Sequence, residues 1–300
     1  MVVVCRRYYA RCALIEHLRV LRPAPDIYAF YDGRIPGHRF ADEPNWVDEG
    51  ALALGIASYA IVAGDEAVVY DTHISVEHAR KIRSLLEADG VRRFTVVLSH
   101  WHLDHVAGTE AFADCEVIAC ERTAEHLRDN QGAIEAGTLE GPPGIDPLVL
   151  PTSVFTDRRE LAVGDLRLEL IHTHIHSDDA ALVWLPDRRL LLCGDTLEDT
   201  VTYVDEPEHF DTHLANLERL RELGAERILP NHGDPDVIAG GGYEPGFITA
   251  TERYIEALQR GTNTPLREVI ADSLQEGWIT YFEPYEAVHE HNVLLAQGSG

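Results

Sequence analysis

Lysine is almost absent from this sequence, and basic residues as a whole are scarce. Lys81 is the only lysine among 25 basic residues, whereas 51 residues are acidic, and the formal net charge is −26. A field of that sign repels phosphate backbones and anionic membrane surfaces, so we expect neither nucleic acid nor a membrane as partner. The excess of acidic residues is typical of a soluble protein. By itself it does not identify a partner that binds the acidic surface.

Long apolar runs and a disulfide framework are also missing. The longest uncharged apolar run, residues 51–64, is too short to span a bilayer and contains Gly55 and Gly64. Arginines within the first eleven residues interrupt any apolar core of a signal peptide. The five cysteines are odd in number and lack framework-like spacing, in a chain long enough to bury a core without cross-links. The sequence therefore predicts a cytoplasmic protein with reduced thiols.

Apolar spacing and turn signals predict a chain of mixed strands and helices. Residues 18–31 and 56–71 have the pattern of hairpin strands, and residues 76–86 repeat apolar side chains at helical spacing. A short buried strand over 94–98 follows, whereas the Gly- and Pro-rich segment 130–153 predicts an irregular loop. This order of elements indicates an α/β protein.

The second half of the chain predicts four more strands, starting with the alternation at Leu161, and an amphipathic helix over 210–223. Three helical patterns follow Gly240. Because neither a repeat nor a clear linker interrupts the chain, we predict a catalytic domain over 1–240. A helical C-terminal extension over 241–300 would pack on that domain.

Potential metal ligands stand where several of the predicted strands end. The stretch SHWHLDH places three histidines and an aspartate directly after the strand over 94–98, and later strands end near another His, an Asp and a His. If these ends meet at one sheet edge, seven ligands converge: His100, His102, Asp104, His105, His176, Asp195 and His232. Five imidazoles and two carboxylates suit two borderline divalent ions such as zinc.

The stretch SHWHLDH is similar to the His-X-His-X-Asp-His motif of the metallo-β-lactamase superfamily. The order of the later His, the Asp of GDT and the last His is similar to the remaining ligand motifs of that family, over about residues 15–240. The resemblance implies an αββα sandwich and a first ion on His100, His102 and His176. It places a second ion on Asp104, His105 and His232, with Asp195 as bridge. The ions would be two Zn²⁺, with iron or manganese as alternatives.

The register of one ligand stays open, because the chain has HTHIH where the family has Gly before its histidine. His172, His174 and His176 share a face of an extended strand, so His174 becomes the ligand if the strand ends early. His176 is the preferred assignment. Asp71 resembles the carboxylate that orients a ligand imidazole in this family, and His73 is the extra histidine nearest to that role.

A site of this kind predicts hydrolysis by a metal-bound hydroxide, since two ions that share a water lower its pKa toward neutrality. Asp104 would steer the hydroxide and is the predicted catalytic residue. We predict a hydrolase of a small-molecule carboxylic ester, lactone or thioester. The alternatives are a mononuclear iron persulfide dioxygenase, or a β-lactam or phosphodiester hydrolase of the same superfamily. Asp195 disfavours β-lactam cleavage, because dinuclear β-lactamases commonly carry a cysteine there.

We expect the loops around the metal ions, rather than the ions themselves, to select the substrate. The segment 130–153 is the candidate lid, and no Lys or Arg lies between Arg128 and Arg158 to clamp an anion, which favours a neutral ester or lactone. Quorum-sensing lactonases are a plausible relative, although Tyr203 matches their tyrosine only loosely and is interpreted as a packing residue. The C-terminal stretch YFEPYEAVHEHN would line the substrate pocket or a homodimer interface, or else form a plain surface helix.

Overall fold

The computed structural model describes residues 15–204 and 206–298. The chain divides into two compact units: unit 1 runs to Phe155 and includes Val163–Asp165, and unit 2 comprises Thr156–Ala162 and the chain from Leu166 onward. Each unit has its own sheet. The predicted division into 1–240 and 241–300 stays a prediction. Cys5 and Cys12 lie outside the described residues.

Unit 1 is built around one sheet that is antiparallel in its first half and parallel in its second. Its described strands follow chain order: β1 (Arg19–Ala24), β2 (Ile27–Asp32), β3 (Ile56–Ala63), β4 (Glu66–Tyr70), β5 (Arg93–Val97), β6 (Glu116–Cys120) and β7 (Ser153–Phe155). Hairpins join β1 to β4, as the alternation predicted, whereas β4 to β7 pair in parallel. Parallel neighbours need crossover connections, and helices supply them.

The helices of unit 1 follow from caps and apolar faces. They are a helical turn (Val47–Leu52), α1 (Val76–Ala88), α2 (Leu103–Val106), a 3₁₀ turn (Thr109–Phe112) and α3 (Glu121–Ala136). Ser75 caps α1 by accepting a hydrogen bond from the backbone N–H of His78, and α1 buries Ala79, Ile82 and Leu86 against the core. The predicted helix at 76–86 is confirmed.

The prediction of an irregular loop over 130–153 is wrong for its first seven residues, which belong to α3, and for Ser153, which begins β7. Gly132 is tolerated inside that helix because Leu127 and Ile134 are buried on its core side. The helix ends at Gly137, whose φ of +65° is a left-handed conformation that glycine adopts without strain. Beyond it, Trp46 Nε1 donates to the carbonyl of Pro143 at 3.0 Å, so the remaining loop is tied to the unit.

Unit 2 contains the second sheet, whose described strands have the order β12-β11-β10-β9-β8. They are β8 (Arg158–Val163), β9 (Leu166–His172), β10 (Ala181–Leu185), β11 (Leu190–Gly194) and β12 (Arg227–Pro230). The prediction of four strands is wrong by one, because the alternation from Leu161 contains a turn at Gly164 that separates β8 from β9. Only β11 and β12 pair in parallel among these strands.

The helices of unit 2 confirm three of the four helical patterns predicted after residue 209, whereas the pattern over 266–274 is divided at Ile270 into two short helices and the helix over 235–239 was not predicted. They are α4 (Phe210–Glu222), α5 (Pro235–Ala239), α6 (Gly246–Gln259), α7 (Leu266–Val269), α8 (Ala271–Gln275) and α9 (Tyr285–Gly298). The mixed α/β class with two sheets and C-terminal helices is therefore confirmed. Within the part of the chain that the structure describes, none of the helices combines the length and hydropathy that a bilayer span requires.

The α9 helix is held to unit 2 by polar contacts as well as by packing. Tyr285 is fully buried, and the side-chain oxygen of Asn292 accepts a hydrogen bond from the backbone N–H of Val204 at 3.0 Å. The amide of Asn292 also donates to the carbonyl of Thr202 at 3.0 Å. These contacts fix one face of the helix to unit 2, and the predicted pocket wall, dimer interface and surface helix covering the sheet all stay predictions.

Gly108 provides a test of the packing between α1 and the segment that follows β4. A Cβ at Gly108 would lie 2.0 Å from the carbonyl oxygen of Thr72 and 2.5 Å from the Cβ of Ala79. We expect Gly108→Ala to lower the free energy of unfolding by about 1–3 kcal/mol, the usual cost of overpacking. The measurement is the shift of the midpoint of chemical denaturation.

Gly132→Ala is the matched control for that substitution. A Cβ at Gly132 meets nothing within 4 Å, and alanine is better than glycine in a helix by about 1 kcal/mol. Its midpoint should therefore rise. Equal midpoints for the two variants would contradict the close packing at Gly108.

Candidate metal centre

The ligand candidates of unit 1 lie beyond the carboxyl ends of two adjacent parallel strands. Tyr70 of β4 pairs with Val97 of β5, so Asp71 and the loop over 99–105 leave the sheet side by side. This edge is where open α/β sheets place their ligand sites. The short α2 helix fixes the loop, because its apolar residues Leu103 and Val106 belong to the hydrophobic core.

The four candidates of this loop are gathered in unit 1. The ring centroid of His100 lies 4.5 Å from that of His102 and 4.2 Å from that of His105. His105 Nε2 lies 3.4 Å from Asp104 Oδ1. His100 and His105 are buried, whereas His102 and Asp104 are partly exposed, so the cluster has a side open to solvent.

Asp71 holds the imidazole of His105 in one orientation. Its Oδ2 lies 2.9 Å from His105 Nδ1, and its Oδ1 accepts a hydrogen bond from the backbone N–H of Ser99 at 2.6 Å. A carboxylate can only accept, so Nδ1 carries the proton and Nε2 carries the lone pair that binds metal. The sequence predicted a contact between Asp71 and an imidazole of the site, and His105 is the ligand candidate that Asp71 contacts.

The backbone of Asp71 is itself unusual. Its φ is +64°, a left-handed conformation that residues other than glycine rarely adopt. Conformations of this kind cost about 1–3 kcal/mol and persist where the surroundings fix them, often at functional sites. His176 in unit 2 has the same feature, with a φ of +70°.

The ligand candidates of unit 2 also follow strand ends. Asp195 and His232 come just after the parallel strands β11 and β12, and His176 lies in the loop after β9. Asp195 Oδ2 lies 3.3 Å from His232 Nε2 and 3.9 Å from His176 Nε2. All three residues are buried. One carboxylate oxygen of Asp195 therefore faces two imidazole nitrogens.

The imidazole of His176 is oriented from its other nitrogen. Nδ1 donates to the carbonyl oxygen of Tyr203 at 3.0 Å and lies 3.5 Å from Glu198 Oε1, which leaves the lone pair on Nε2. Burial alone would lower the pKa of His176. The hydrogen bond that His176 donates to Glu198 and the charges of Asp195 and Glu198 outweigh burial, and the pKa of His176 is raised above its usual value.

The structure distinguishes the two candidates of the HTHIH stretch. The β9 strand ends at His172, so the expectation that the three histidines share a strand face is wrong. Ile175 is buried, and the backbone changes direction at His176, where φ is positive. The side chains of His174 and His176 are therefore separated. His176 faces Asp195, whereas His174 Nε2 lies 2.5 Å from Glu206 Oε2. Although the strand ends early, His176 and not His174 therefore lies beside Asp195.

Glu198 is a site residue that sequence reasoning missed. It is buried, its Oε1 accepts from the backbone N–H of Tyr203 at 2.8 Å, and its Oε2 accepts from the hydroxyl of Tyr285 at 3.2 Å. The only feature of the sequence that points to Glu198 is its position three residues after Asp195. In a chain rich in acidic residues, one Glu at such a position is weak evidence for a role in the site. Its carboxylate connects the His176 ring to α9.

Tyr203 contributes its backbone as well as its side chain. Its carbonyl orients His176, and its hydroxyl lies 2.9 Å from His291 Nε2, with the two rings stacked at 5.3 Å. The C-terminal stretch singled out in the sequence thus packs on the segment over 198–204. That segment in turn holds a ligand candidate.

His73 is not among the four gathered residues of unit 1. Its ring stacks on that of His78 at 4.6 Å, and His78 Nε2 donates to Asp32 Oδ2 at 3.0 Å. Burial, followed by the neighbouring His78, lowers the pKa of His73 well below its usual value. A neutral packing role fits this position.

A sequence profile of the metallo-beta-lactamase superfamily matches residues 52–232. The matched range is more than half of the chain and includes all seven ligand candidates, from His100 to His232. The chain therefore belongs to the metallo-beta-lactamase superfamily. The fold class predicted from the ligand motifs is confirmed.

Curated relatives are distant and are longer than the matched region. A beta-lactamase-like protein 2 homolog of Caenorhabditis elegans is 27% identical, with 60% of this chain and 56% of that protein covered. A linear primary-alkylsulfatase of Pseudomonas sp. is 24% identical, with 58% and 41% covered. The acyl-coenzyme A thioesterase MBLAC2 of Bos taurus is 26% identical, with 62% and 77% covered. The matched region spans about half the length of the first two relatives.

Solved structures agree on the fold. The DIM-1 metallo-beta-lactamase matches with a TM-score of 0.60 at 18% identity, covering 80% of this chain and 98% of that one. The VMB-1 structure matches with a TM-score of 0.58 at 15% identity, covering 80% and 97%. Two of the relatives carry the names of hydrolases, an alkylsulfatase and a thioesterase, and this chain shares their superfamily.

Asp71→Asn tests whether the Asp71 contact tunes metal binding. The amide keeps the shape of the carboxylate but loses the charge that fixes the His105 tautomer, so we expect zinc affinity to fall about 10–100-fold. Competition with a chromophoric chelator measures it. Asp165→Asn, in an exposed turn, is the control and should bind zinc like the wild type. Wild-type affinity in Asp71→Asn would contradict the orienting role.

Proposed function

We propose that this chain is a dinuclear-metal-dependent hydrolase that acts on the carbonyl carbon of a small-molecule ester, lactone or thioester. The observation that carries the proposal is the pair of oriented donor groups, one in each unit. Asp71 fixes His105 in unit 1, and Glu198 with the Tyr203 carbonyl fixes His176 in unit 2. In both, Nδ1 is engaged and Nε2 carries the lone pair.

The donors fit borderline divalent ions, because imidazole nitrogens and carboxylate oxygens are the ligands that zinc takes in catalytic sites. The proposed assignment follows the order of the family motifs. His100, His102 and His176 hold one ion, Asp104, His105 and His232 hold the other, and Asp195 bridges them. Support for the bridging role comes from Asp195 Oδ2, which faces the Nε2 atoms of both His176 and His232.

Bound divalent ions supply Lewis acidity here, which lowers the pKa of a coordinated water and polarises a carbonyl oxygen. The side chains of the protein position the reacting groups and exchange protons with them. Asp104 is the proposed catalytic residue, because its carboxylate is partly exposed and can hold the attacking water and accept its proton. Asp71 and Glu198 keep their imidazoles in a fixed orientation during that step.

A cavity in unit 1 supports a neutral substrate. It has a volume of about 320 Å³ and is lined by Trp46, the start of α1, Ala107 and the loop over 143–147. Ala107 is two residues from His105 along the chain, whereas none of the seven ligand candidates lines the cavity. The size lies within the range of small-molecule pockets. The loop thus contributes to a pocket wall, in the region that the sequence assigned to a lid.

The charges around this cavity disfavour an anionic substrate. Three acidic residues line it, Glu77, Glu110 and Asp146, and Arg80 is the single basic residue in its lining. Arg80 already pairs with Glu110 at 3.0 Å, so it offers no spare charge for a phosphate or carboxylate. A neutral carboxylic ester or lactone is the favoured substrate class, as the sequence predicted.

Acyl thioesters are the second candidate class. Relatives from two vertebrates are named acyl-coenzyme A thioesterases, and this is the observation that favours them. The carbonyl chemistry is the same as for an ester. The acidic surroundings oppose the phosphates of coenzyme A, which is why the thioester ranks second here.

Metal content tests the dinuclear centre. We expect the double variant His102→Ala/Asp195→Ala to bind about two zinc equivalents fewer than the wild type, because it removes one ligand of the first ion and the carboxylate that bridges both ions. Elemental analysis after dialysis measures the difference. About one iron per chain in the wild type, with oxygen uptake on glutathione persulfide, would favour the dioxygenase instead.

A substrate panel tests the proposed reaction. The panel comprises p-nitrophenyl esters, acyl lactones, glutathione and coenzyme A thioesters, bis-p-nitrophenyl phosphate and nitrocefin. On zinc-loaded protein, kcat/KM for the best ester or lactone should exceed that for the phosphodiester and nitrocefin by about tenfold or more, which is about 1.4 kcal/mol. Asp104→Asn should lower kcat by about 10²–10⁴-fold. A phosphodiester hydrolysed faster than every ester, lactone and thioester would contradict the proposal.

A further inference from the structure

We propose that unit 2 carries an additional zinc site, separate from the seven ligand candidates and formed by His174, Glu206 and His213, with His209 beside them. One donor atom from each of the first three residues lies within 4.8 Å of the others. Two or three imidazoles and one carboxylate are a donor set that zinc takes in proteins. None of these four residues belongs to the family's ligand motifs.

The ring positions match those of imidazoles that share one ion. The ring centroid of His174 lies 4.8 Å from that of His209 and 5.3 Å from that of His213. Imidazoles bound to one tetrahedral zinc through nitrogens at about 2.0–2.1 Å place their ring centres about 5 Å apart. The rings of His209 and His213 therefore each lie at such a separation from the ring of His174.

His213 is the observation that a simple hydrogen-bonded pair does not explain. Its ring is fully buried, and neither ring nitrogen has a hydrogen-bond partner among residues 15–204 and 206–298. A buried polar group without a partner costs about 1–3 kcal/mol. The ring of His213 lies beside that of His174, toward the Glu206 carboxylate, where a bound ion would satisfy one of its nitrogens.

Two of these histidines lie one turn apart on the same side of α4. His209 is the N-terminal cap of α4 and His213 lies one turn further, the four-residue spacing that pairs zinc-binding histidines on helices. Glu206 precedes His209 by three residues. The loop after β9 supplies His174 from outside the helix, so the ion would join α4 to that loop.

The site has room for an ion and a path to it. The side chains of His174 and Glu206 are 18% and 28% exposed, so solvent reaches the donors. His174 Nε2 and Glu206 Oε2 are 2.5 Å apart, whereas two ligands of one zinc lie about 3.3 Å apart. Binding therefore requires the Glu206 side chain to move by about 1 Å, which its exposure permits.

A zinc titration with matched variants tests the site. The full chain is stripped with a chelator and titrated with Zn²⁺ against a chromophoric chelator, as wild type, Glu206→Gln, His213→Asn and the control Glu208→Gln. Glu208 is an exposed neighbour outside the cluster. We expect the wild type and Glu208→Gln to bind one equivalent more than His213→Asn. Glu206→Gln should bind that equivalent at least about tenfold more weakly, as expected for loss of a charged ligand.

Circular dichroism checks the fold of each variant, and Glu206→Gln, whose side chain is partly exposed, decides the test if His213→Asn does not fold. Hydrolase activity with the remaining ions bound should be unchanged in Glu206→Gln. Equal stoichiometry and affinity in all four proteins would overturn the proposal. So would a parallel loss of activity and zinc in Glu206→Gln, because it would assign Glu206 to the catalytic centre instead. Both outcomes are independent of which substrate the enzyme hydrolyses.

Discussion

The buried carboxylate that fixes an imidazole is the interaction on which the rest of this site depends. A histidine presents a lone pair in a defined direction only if its other nitrogen is engaged, and Asp71 does this for His105 at 2.9 Å. The carboxylate must be buried to be effective, and burial is costly unless its oxygens are satisfied. The backbone N–H of Ser99 and the His105 ring satisfy Asp71, and Tyr203 and Tyr285 do the same for Glu198.

The sheets explain why such pairs can be built at these places. Parallel pairing of β4 with β5, and of β11 with β12, brings chain segments that are distant in sequence to adjacent strand ends. Rigid strands fix the first residue of each loop, and the loops then adopt conformations that an isolated chain would avoid. The positive φ values of Asp71 and His176 are the visible sign that the surrounding structure determines the backbone there.

Ligand motifs and strand periodicity predicted the family, the fold class and the seven ligand candidates, because metal ligands have narrow chemical requirements. Element boundaries were less predictable. Gly132 looked like a loop residue until burial of Leu127 and Ile134 extended the helix, and Gly164 hid a hairpin within one alternating run. Glu198 was out of reach, because its role depends on contacts with Tyr203 and with Tyr285, 87 residues away along the chain.

The contacts of the α9 helix bear on the order in which the surroundings of His176 form during synthesis. The segment that orients His176 is held by residues 87 to 90 positions further along the chain, in α9. A ribosome adds about 5–20 residues per second, so several seconds separate the synthesis of that segment from that of its support. During this interval the segment that contacts His176 lacks its contacts with α9. The nascent protein would thus carry all seven ligand candidates before the surroundings of His176 are complete.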